Sequence, residues 1–289
     1  MQVQNAVIMA AGTSSRFTPL SYEKHKALTV VKGEVLIERQ IRQLKDAGVP
    51  EILIVTGYKA EQFSHLPGKF GVRLIHNGDY MTRNNNGSIW AVRNELGASY
   101  ICSSDNYFTV NPFEKEVDEA YYAALYSNGP TQEWCMKEDA EGYVNDVAIG
   151  GENAWFMLGH AFWSPDFSQK FLAILEKEYD LPETTGKLWE KIYMEHLDVL
   201  KMKIRKYPYD TIYEFDSLDE LREFDPEYWE DPHSAILKEI ARRLDVPQRE
   251  LRRFVPWKEG TNEAVGFLFE TNTGKYGYRF GTGELTIKK

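Results

Sequence analysis

A run of small residues, Ala10-Ala11-Gly12-Thr13-Ser14-Ser15, leads directly into Arg16 and, ten residues later, reaches Lys26. Small side chains let backbone N–H groups approach a phosphate closely, and Ser14 and Ser15 add hydroxyl donors. Arg16 supplies a planar fork that matches phosphate oxygens, and Lys26 a compact charge on a flexible stem. The apolar run Ala6 to Met9 just before them reads as a buried strand. The residues therefore predict a strand, a phosphate-cradling loop and two cations within one short segment. Neither common glycine-rich loop fits: the Walker spacing needs a second glycine followed by lysine, the dinucleotide fingerprint needs three glycines, and Gly12 stands alone.

The segment resembles the N-terminal signature of sugar-phosphate-type nucleotidyltransferases. The match runs from Ala10 to Arg16, Phe17, Thr18, Pro19 and Leu20, then Lys26-Ala27-Leu28. One residue departs from the pattern. His25 stands where that family has proline, so the approach to Lys26 is expected to be less rigid, because proline fixes φ and restricts its predecessor.

Nucleotidyl transfer needs a divalent cation, because the charge of a triphosphate repels an anionic attacker. Mg²⁺ takes a few carboxylates plus phosphate oxygens and water. Asp105, in Ile101-Cys102-Ser103-Ser104-Asp105-Asn106-Tyr107, follows a predicted strand. Asp216, in Ile212-Tyr213-Glu214-Phe215-Asp216-Ser217, closes an extended segment before a helix. Alone, Asp105 also reads as an Asx turn and Asp216 as part of a helix cap.

Further segments are similar to the bacterial CTP:phosphocholine cytidylyltransferase branch of that family: Pro19 to Lys24, Thr56-Gly57-Tyr58 with Gln62-Phe63, Asn84-Asn85 with Ser88, Ser104 to Tyr107, Glu133-Trp134, Phe162-Trp163 and Ile212 to Ser217. The resemblance implies that Ala10 to Ser15 hold the CTP phosphates, with Arg16 and Lys26 countering charge. It places Asn84, Asn85 and Ser88 near the nucleotide and Mg²⁺ on Asp105 and Asp216. Relatives often carry a further aspartate two positions before the first metal residue; Ser103 is there, so no carboxylate pair is expected at this strand end. The reaction implied is attack by a phosphocholine oxygen on the α-phosphorus of CTP. A phosphate monoester is already an anion, so no general base is required.

A quaternary ammonium lacks N–H donors, so its site must use ring faces and a carboxylate. Trp134 beside Glu133 is the first candidate, with Trp163 and Trp189 behind it; each tryptophan also reads as packing. Glu133 would equally suit a primary amine such as 2-aminoethylphosphonate. That phosphonate and a sugar 1-phosphate remain alternative acceptors, and CTP is not distinguished from UTP. A non-catalytic nucleotide-binding protein would be expected to have lost Arg16, Lys26, Asp105 or Asp216, and all four are present.

The elements that must position these residues alternate. Strands are predicted at Gln4 to Met9, Glu51 to Thr56, Val72 to Ile75 and Ser99 to Ser103, with helices at Val35 to Ala47, Lys59 to Leu66 and Ser88 to Leu96. Strands separated by helices imply βαβ units and a parallel sheet, whose ligands bind at the carboxyl ends of strands. The resemblance extends this to a Rossmann-like three-layer α/β fold with a mixed, mainly parallel sheet. Tyr121 to Trp163 is strand-like and is expected to extend the sheet over the site. Helices are predicted at Pro165 to Lys177 and Lys187 to Leu197, a strand at Met202 to Lys206, and a capping box at Ser217 and Glu220.

A nucleotidyltransferase domain is thus expected over 1–225 and an extension over 226–289. In the extension, acidic, proline-bearing Phe224 to His233 reads as a linker, Ser234 to Leu244 as an amphipathic helix, and Thr271-Asn272-Thr273-Gly274 as the turn of a hairpin with little core of its own. Leu251 to Leu285, with Glu259-Gly260-Thr261-Asn262, resembles the opening hairpin of choline-kinase-type kinases, which implies the start of a kinase domain or its remnant.

Composition narrows the rest. A net charge of −10 argues against a nucleic-acid partner, which needs clustered Lys and Arg. Cys102 and Cys135 give neither a disulfide framework nor a metal-ligand spacing. No signal peptide or membrane-spanning run is seen, so a cytoplasmic protein is expected, and the terminal hairpin is compatible with a homodimer.

Overall fold

The computed structural model describes residues 1–260 and 264–288. They form two compact units: Met1–Gly12 with Leu36–Glu214, and Thr13–Val35 with the segment from Phe215 onward.

Among the described residues, the first unit carries a nine-stranded mixed sheet. Four strands are parallel neighbours in the order Ser99–Ser103, Asn5–Ala10, Ile52–Thr56 and Arg73–His76. Val7 stands opposite both Leu53 and Ile101. The first three of these are almost wholly buried, which explains their near-continuous apolar runs. From Asn5–Ala10 the chain goes to Ile52–Thr56 and Arg73–His76 on one side, then to Ser99–Ser103 on the other. Such a reversal opens a crevice at the carboxyl ends of the two strands where the order switches. Gly12 follows one of them and Asp105 the other.

The Tyr121 to Trp163 region does extend the sheet. Trp155–Trp163 runs antiparallel to Ser99–Ser103 and also pairs with Tyr121–Tyr126 and Pro130–Glu138, with Val144–Glu152 outermost. The ladder with Tyr121–Tyr126 shifts register between Met157 and Ala161. Gly159 sits there with φ +106°, and a Cβ on it would come within 2.9 Å of Ile212. Lys203–Lys206 adds a strand parallel to Tyr121–Tyr126.

Helices fall close to expectation, at Leu36–Asp46, Pro165–Glu178 and Trp189–Glu195. Two are shorter than predicted: the Lys59 region holds only a 3-10 turn, Ala60–Phe63, before Leu66–Phe70, and Ser88 lies within Asn86–Ala91. The core joins Val7, Leu53, Val55 and Ile101 to Trp163, Phe167, Phe171, Trp189 and Tyr193. Among the described residues, no helix is long and apolar enough to cross a membrane.

The second unit contains short turns at Ser15–Phe17, Leu20–Glu23 and Lys26–Leu28, helices at Leu218–Phe224, Glu227–Glu230 and Ala235–Leu244, and a four-stranded antiparallel sheet. Phe224 to His233 is not a linker. Asp225 and Tyr228 are buried; Asp225 accepts the Lys32 N–H at 2.7 Å, and the Tyr228 hydroxyl donates to the Val30 carbonyl at 2.6 Å. Local acidity misled here, because the carboxylate satisfies a backbone donor almost two hundred residues away.

Helix Ala235–Leu244 is capped by Ser234, whose Oγ accepts the Leu237 N–H. The expected hairpin is present as Ala264–Thr271 and Gly274–Arg279. Strands Arg252–Lys258 and Glu284–Lys288 flank it, and Phe254, Phe267, Phe269 and Tyr278 give the sheet a buried aromatic face. Thr261 and Asn262 of the kinase-like motif lie outside the described residues.

Candidate active site

In the first unit strand Asn5–Ala10 ends in small residues, as the sequence implies. Ala10 and Ala11 are buried and Gly12 is exposed, with open space where a Cβ would stand. The Tyr58 N–H donates to the Ala11 carbonyl at 3.0 Å. Gly57 permits that approach: a Cβ there would lie 2.8 Å from the Ala11 oxygen and 2.7 Å from Tyr80. The Thr56-Gly57-Tyr58 segment therefore serves as a brace for the loop.

Asp105 lies in the turn between strands Ser99–Ser103 and Asn106–Phe108. Asn106–Phe108 pairs with Ile212–Glu214, setting Asn106 opposite Glu214, and Asn106 Nδ2 donates to Glu214 Oε2 at 3.1 Å. Carboxylate oxygens of Asp105 and Glu214 come within 4.8 Å of each other. So although Ser103 occupies the place of the additional aspartate, a second carboxylate arrives from across this ladder. Sequence reading passed over Glu214 because its role depends on strand pairing over more than a hundred residues.

Helix Leu36–Asp46 props the turn. Gln40 Nε2 donates to the Ser103 carbonyl at 3.1 Å. Arg39 and Gln43 both donate to the Phe108 carbonyl, at 2.9 Å from Arg39 Nη2 and 3.1 Å from Gln43 Nε2. Two hard carboxylates at a braced strand end form a donor set suited to a divalent cation such as Mg²⁺.

Asn84 and Asn85, expected near the nucleotide, are joined by Asn86 in a different task. Asn84 Nδ2 donates to the Gly186 carbonyl, and Asn86 Nδ2 to the carbonyls of Thr184 and Lys187. Asn85 Oδ1 accepts the Trp189 N–H at 2.6 Å, and its Nδ2 donates to Glu190 Oε2 at 3.0 Å. Ser88 is buried and its hydroxyl accepts from Asn77. These polar groups fasten the loop before helix Trp189–Glu195, a use that composition alone does not reveal.

That fastening fixes Glu190, which sequence reading also missed. Its other oxygen, Oε1, accepts from the Tyr122 hydroxyl at 3.3 Å. Burial pushes its carboxyl up to about 7, against the lowering effect of the Asn85 and Tyr122 hydrogen bonds. Burial, and then the charges of Glu190 and Glu214, push the Tyr122 phenol well above its ordinary value. No local signal marks Tyr122, which sits in the apolar run Tyr121 to Tyr126.

The predicted aromatic residues divide. Trp163 and Trp189 are 0% and 1% exposed, packed on Phe171 and on each other at 5.1 Å between ring centroids. Both are core, and neither presents a face to a ligand. Trp134 is half-buried and Glu133 exposed on strand Pro130–Glu138, with Trp155–Trp163 between that strand and Ser99–Ser103.

The second unit holds the cations. Ser14 adopts a left-handed conformation (φ 48°) before the 3-10 turn Ser15–Phe17, and Thr13, Ser14 and Ser15 are half-buried. Arg16 Nη1 meets Asp216 Oδ2 at 2.5 Å, and Lys26 Nζ lies 3.5 Å from Asp216 Oδ1. The Lys26 side chain is only 4% exposed and sits over the Phe17 ring. The expected loosening by His25 is not found: its φ is −59°, close to the value a proline ring imposes, and its Nδ1 accepts the Ala27 N–H at 3.1 Å. Ser217 Oγ accepts the Glu220 N–H, but the Glu220 carboxylate reaches one residue beyond the capping-box position, to the Asp216 N–H at 2.6 Å.

Comparison with known proteins identifies the family. The MobA-like NTP transferase domain matches residues 6–111. The choline-phosphate cytidylyltransferase of Streptococcus pneumoniae is 31% identical over 76% of this chain and 96% of its own length. The 2-aminoethylphosphonate cytidylyltransferase of Lancefieldella rimae is also 31% identical, over 78% of this chain and 93% of its own. The solved CTP:phosphocholine cytidylyltransferase of Streptococcus pneumoniae superposes with a TM-score of 0.75 at 31% identity, covering 78% of this chain and 99% of that one. The chain therefore belongs to the nucleotidyltransferase family, among the cytidylyltransferases, enzymes that join a nucleotide to a phosphorylated acceptor with the help of a divalent metal.

Proposed function

We propose that this enzyme transfers CMP from CTP to phosphocholine, forming CDP-choline and releasing pyrophosphate. The observation that carries this reading is the first unit's acidic side chains: Asp105 beside Glu214, and Glu190 held by Asn85 and Tyr122. A hard-cation site and a carboxylate suited to an ammonium group are what an aminoalkyl phosphate acceptor requires. Both oxygens of Glu190 already accept a hydrogen bond, from Asn85 and Tyr122. Its negative charge suits an ammonium group of either kind.

In the reaction, an acceptor phosphate oxygen attacks the α-phosphorus in line, its P–O bond forms, and the bond to the β-phosphate oxygen breaks. Positioning and charge stabilisation supply the catalysis. Gly12 offers its backbone to the triphosphate. Arg16 and Lys26 are assigned by the resemblance to countering phosphate charge, and Thr13 to Ser15 to hydrogen bonding it. Asp105 and Glu214 are the proposed ligands for Mg²⁺. Asp216 joins them on the resemblance and on its place two residues after Glu214 in the chain. The bound ion would neutralise charge on the triphosphate. Glu190 and Tyr122 take the acceptor's ammonium end, a role first given to Trp134 and Glu133.

Residues 1–225 as the catalytic domain, a cytoplasmic location and a homodimer complete the proposal. Pyrophosphate release with CTP and Mg²⁺ is to be measured in parallel with phosphocholine, 2-aminoethylphosphonate and glucose 1-phosphate. Release with phosphocholine well above the other two supports the reading. Preference for the phosphonate overturns it, and replacing CTP with UTP tests the base.

A further inference from the structure

The residues that carry positive charge to the proposed phosphate site sit on a segment that has little means of holding itself. Thr13–Val35 contains only turns of three or four residues and a two-residue ladder, Val30–Val31 with Glu34–Val35. Turns this short do not persist without packing, because the first hydrogen-bonded turn is the costly one. The fastening comes from the far end of the chain. The Tyr22 ring lies flat on Phe280, with centroids 3.8 Å apart and planes 3° from parallel. Glu23 Oε1 accepts the Ile236 N–H at 3.0 Å, so a carboxylate from the cation segment satisfies an orphan donor at the start of helix Ala235–Leu244.

A second fastening grips the helix that follows Asp216. Arg222, 0% exposed, donates to the carbonyls of Leu251 at 2.6 Å, Tyr228 at 3.1 Å and Gln248 at 3.3 Å, and meets Asp219 Oδ1 at 3.2 Å. Asp219 Oδ2 accepts the Arg253 N–H at 2.7 Å. Residues 248–253 are thus tied to helix Leu218–Phe224, and the sheet they enter carries Tyr278 into Phe280. Arg16, Lys26 and Asp216, which meet within this unit, lie on two segments held by the same C-terminal element. The match to the solved relative covers nearly all of that protein but leaves more than a fifth of this chain outside it.

We propose that residues 235–260 and 264–288 form an intramolecular clamp that sets the geometry of Arg16 and Lys26 for phosphate binding, with Tyr22 and Phe280 as its positioning residues. The proposal rests on the nucleotidyl-transfer reading for its catalytic consequence. Both rings act through the turns on either side of Pro19.

The test is a double-mutant cycle in the full chain: Tyr22→Ala, Phe280→Ala and the pair, with Tyr22→Phe as the conservative variant. CTP affinity in Mg²⁺ is read by calorimetry, kcat and KM by pyrophosphate release with phosphocholine, and the fold by thermal unfolding. Each alanine variant is expected to lower kcat about tenfold and to weaken CTP about threefold, with the acceptor KM unchanged. The pair should cost less than the product of the two single effects, because both variants remove the shared Tyr22–Phe280 stack, although Phe280 also packs on Phe267 and Tyr278. Tyr22→Phe should stay within about twofold of wild type, since the stack needs only the ring. Wild-type kcat and CTP affinity in the single variants overturn the clamp, as does a pair whose effects multiply. If Phe280→Ala does not fold, Tyr22→Ala, at a residue 36% exposed, decides alone. Should wild-type enzyme release no pyrophosphate with any acceptor, the acceptor reading fails while the CTP affinities still decide the clamp.

Discussion

Replacing Glu190 with glutamine should remove the acceptor's counter-charge while keeping the side chain's shape. The carboxylate is held by Asn85 at 3.0 Å and Tyr122 at 3.3 Å. A monovalent cation about 5 Å away, at an effective dielectric of about 20, gains about 3 kcal/mol. Part of that offsets the cost of ionising a buried acid, so a net loss of about 2 kcal/mol is expected, or about thirtyfold in kcat/KM for the acceptor. The loss should fall on the acceptor KM and leave the CTP KM within about twofold.

The pH dependence follows with its sign. With a carboxyl raised to about 7, Glu190 is about nine-tenths ionised at pH 8 and about one-tenth at pH 6. Acceptor kcat/KM in wild type should therefore fall about tenfold from pH 8 to pH 6. The acceptor's own phosphate titrates near pH 6 and adds a slope common to both proteins, so the glutamine variant isolates the Glu190 part. For stability the direction is opposite. A carboxyl raised in the folded state favours folding at low pH, and that contribution is lost as pH rises from about 4.5 through about 7. At pH 8 the variant should thus be no less stable than wild type, which separates lost binding from lost fold. Steady-state pyrophosphate release across pH 6–8 is the assay. An acceptor KM within twofold of wild type, or identical slopes in the two proteins, would refute the assignment.

Asp105→Ala should reduce pyrophosphate release at least about a thousandfold with near-native thermal unfolding, since it removes a proposed metal ligand from a half-buried turn; near-normal turnover would remove Asp105 from the metal site. Gly57→Ala should cut activity sharply, because its Cβ would press to 2.8 Å on the Ala11 carbonyl and displace the phosphate loop; unchanged CTP affinity would contradict that brace. His25→Pro should leave kcat within about threefold, because the backbone already holds φ −59° and Lys24 is extended, as a residue before proline must be. Arg222→Leu should cost about 3 kcal/mol by stranding two buried carbonyls and one partly buried one, seen as a fall of about 5–10 °C in Tm.

Much of the enzyme was legible along the chain. The strand–loop–cation order from Ala6 to Lys26 follows from side-chain size and charge, and the parallel sheet from alternating apolar runs and helical periods. Asp105 was found because it directly follows a buried strand. These are local properties, encoded within one or two elements. Glu214 and Glu190 were not legible, because what distinguishes them from other surface acids is the pairing of Asn106–Phe108 with Ile212–Glu214 and the fastening of residues 184–190 by Asn84 to Asn86.

Tryptophan misled for a related reason. A large ring suits a cation and a core equally, and only burial, 0% at Trp163 and 1% at Trp189, separates the two uses. The apparent linker from Phe224 to His233 failed likewise, since the partners of Asp225 and Tyr228 lie near residue 30. The sequence by itself determined the fold class, the small-residue loop after the first strand and the type of chemistry, because short-range patterns of size, charge and apolarity are sufficient for them. Which acids meet, which rings are spent on packing, and that the C-terminal segment grips the cation-bearing turns were decided only by tertiary structure, because each depends on contacts between residues far apart in the chain.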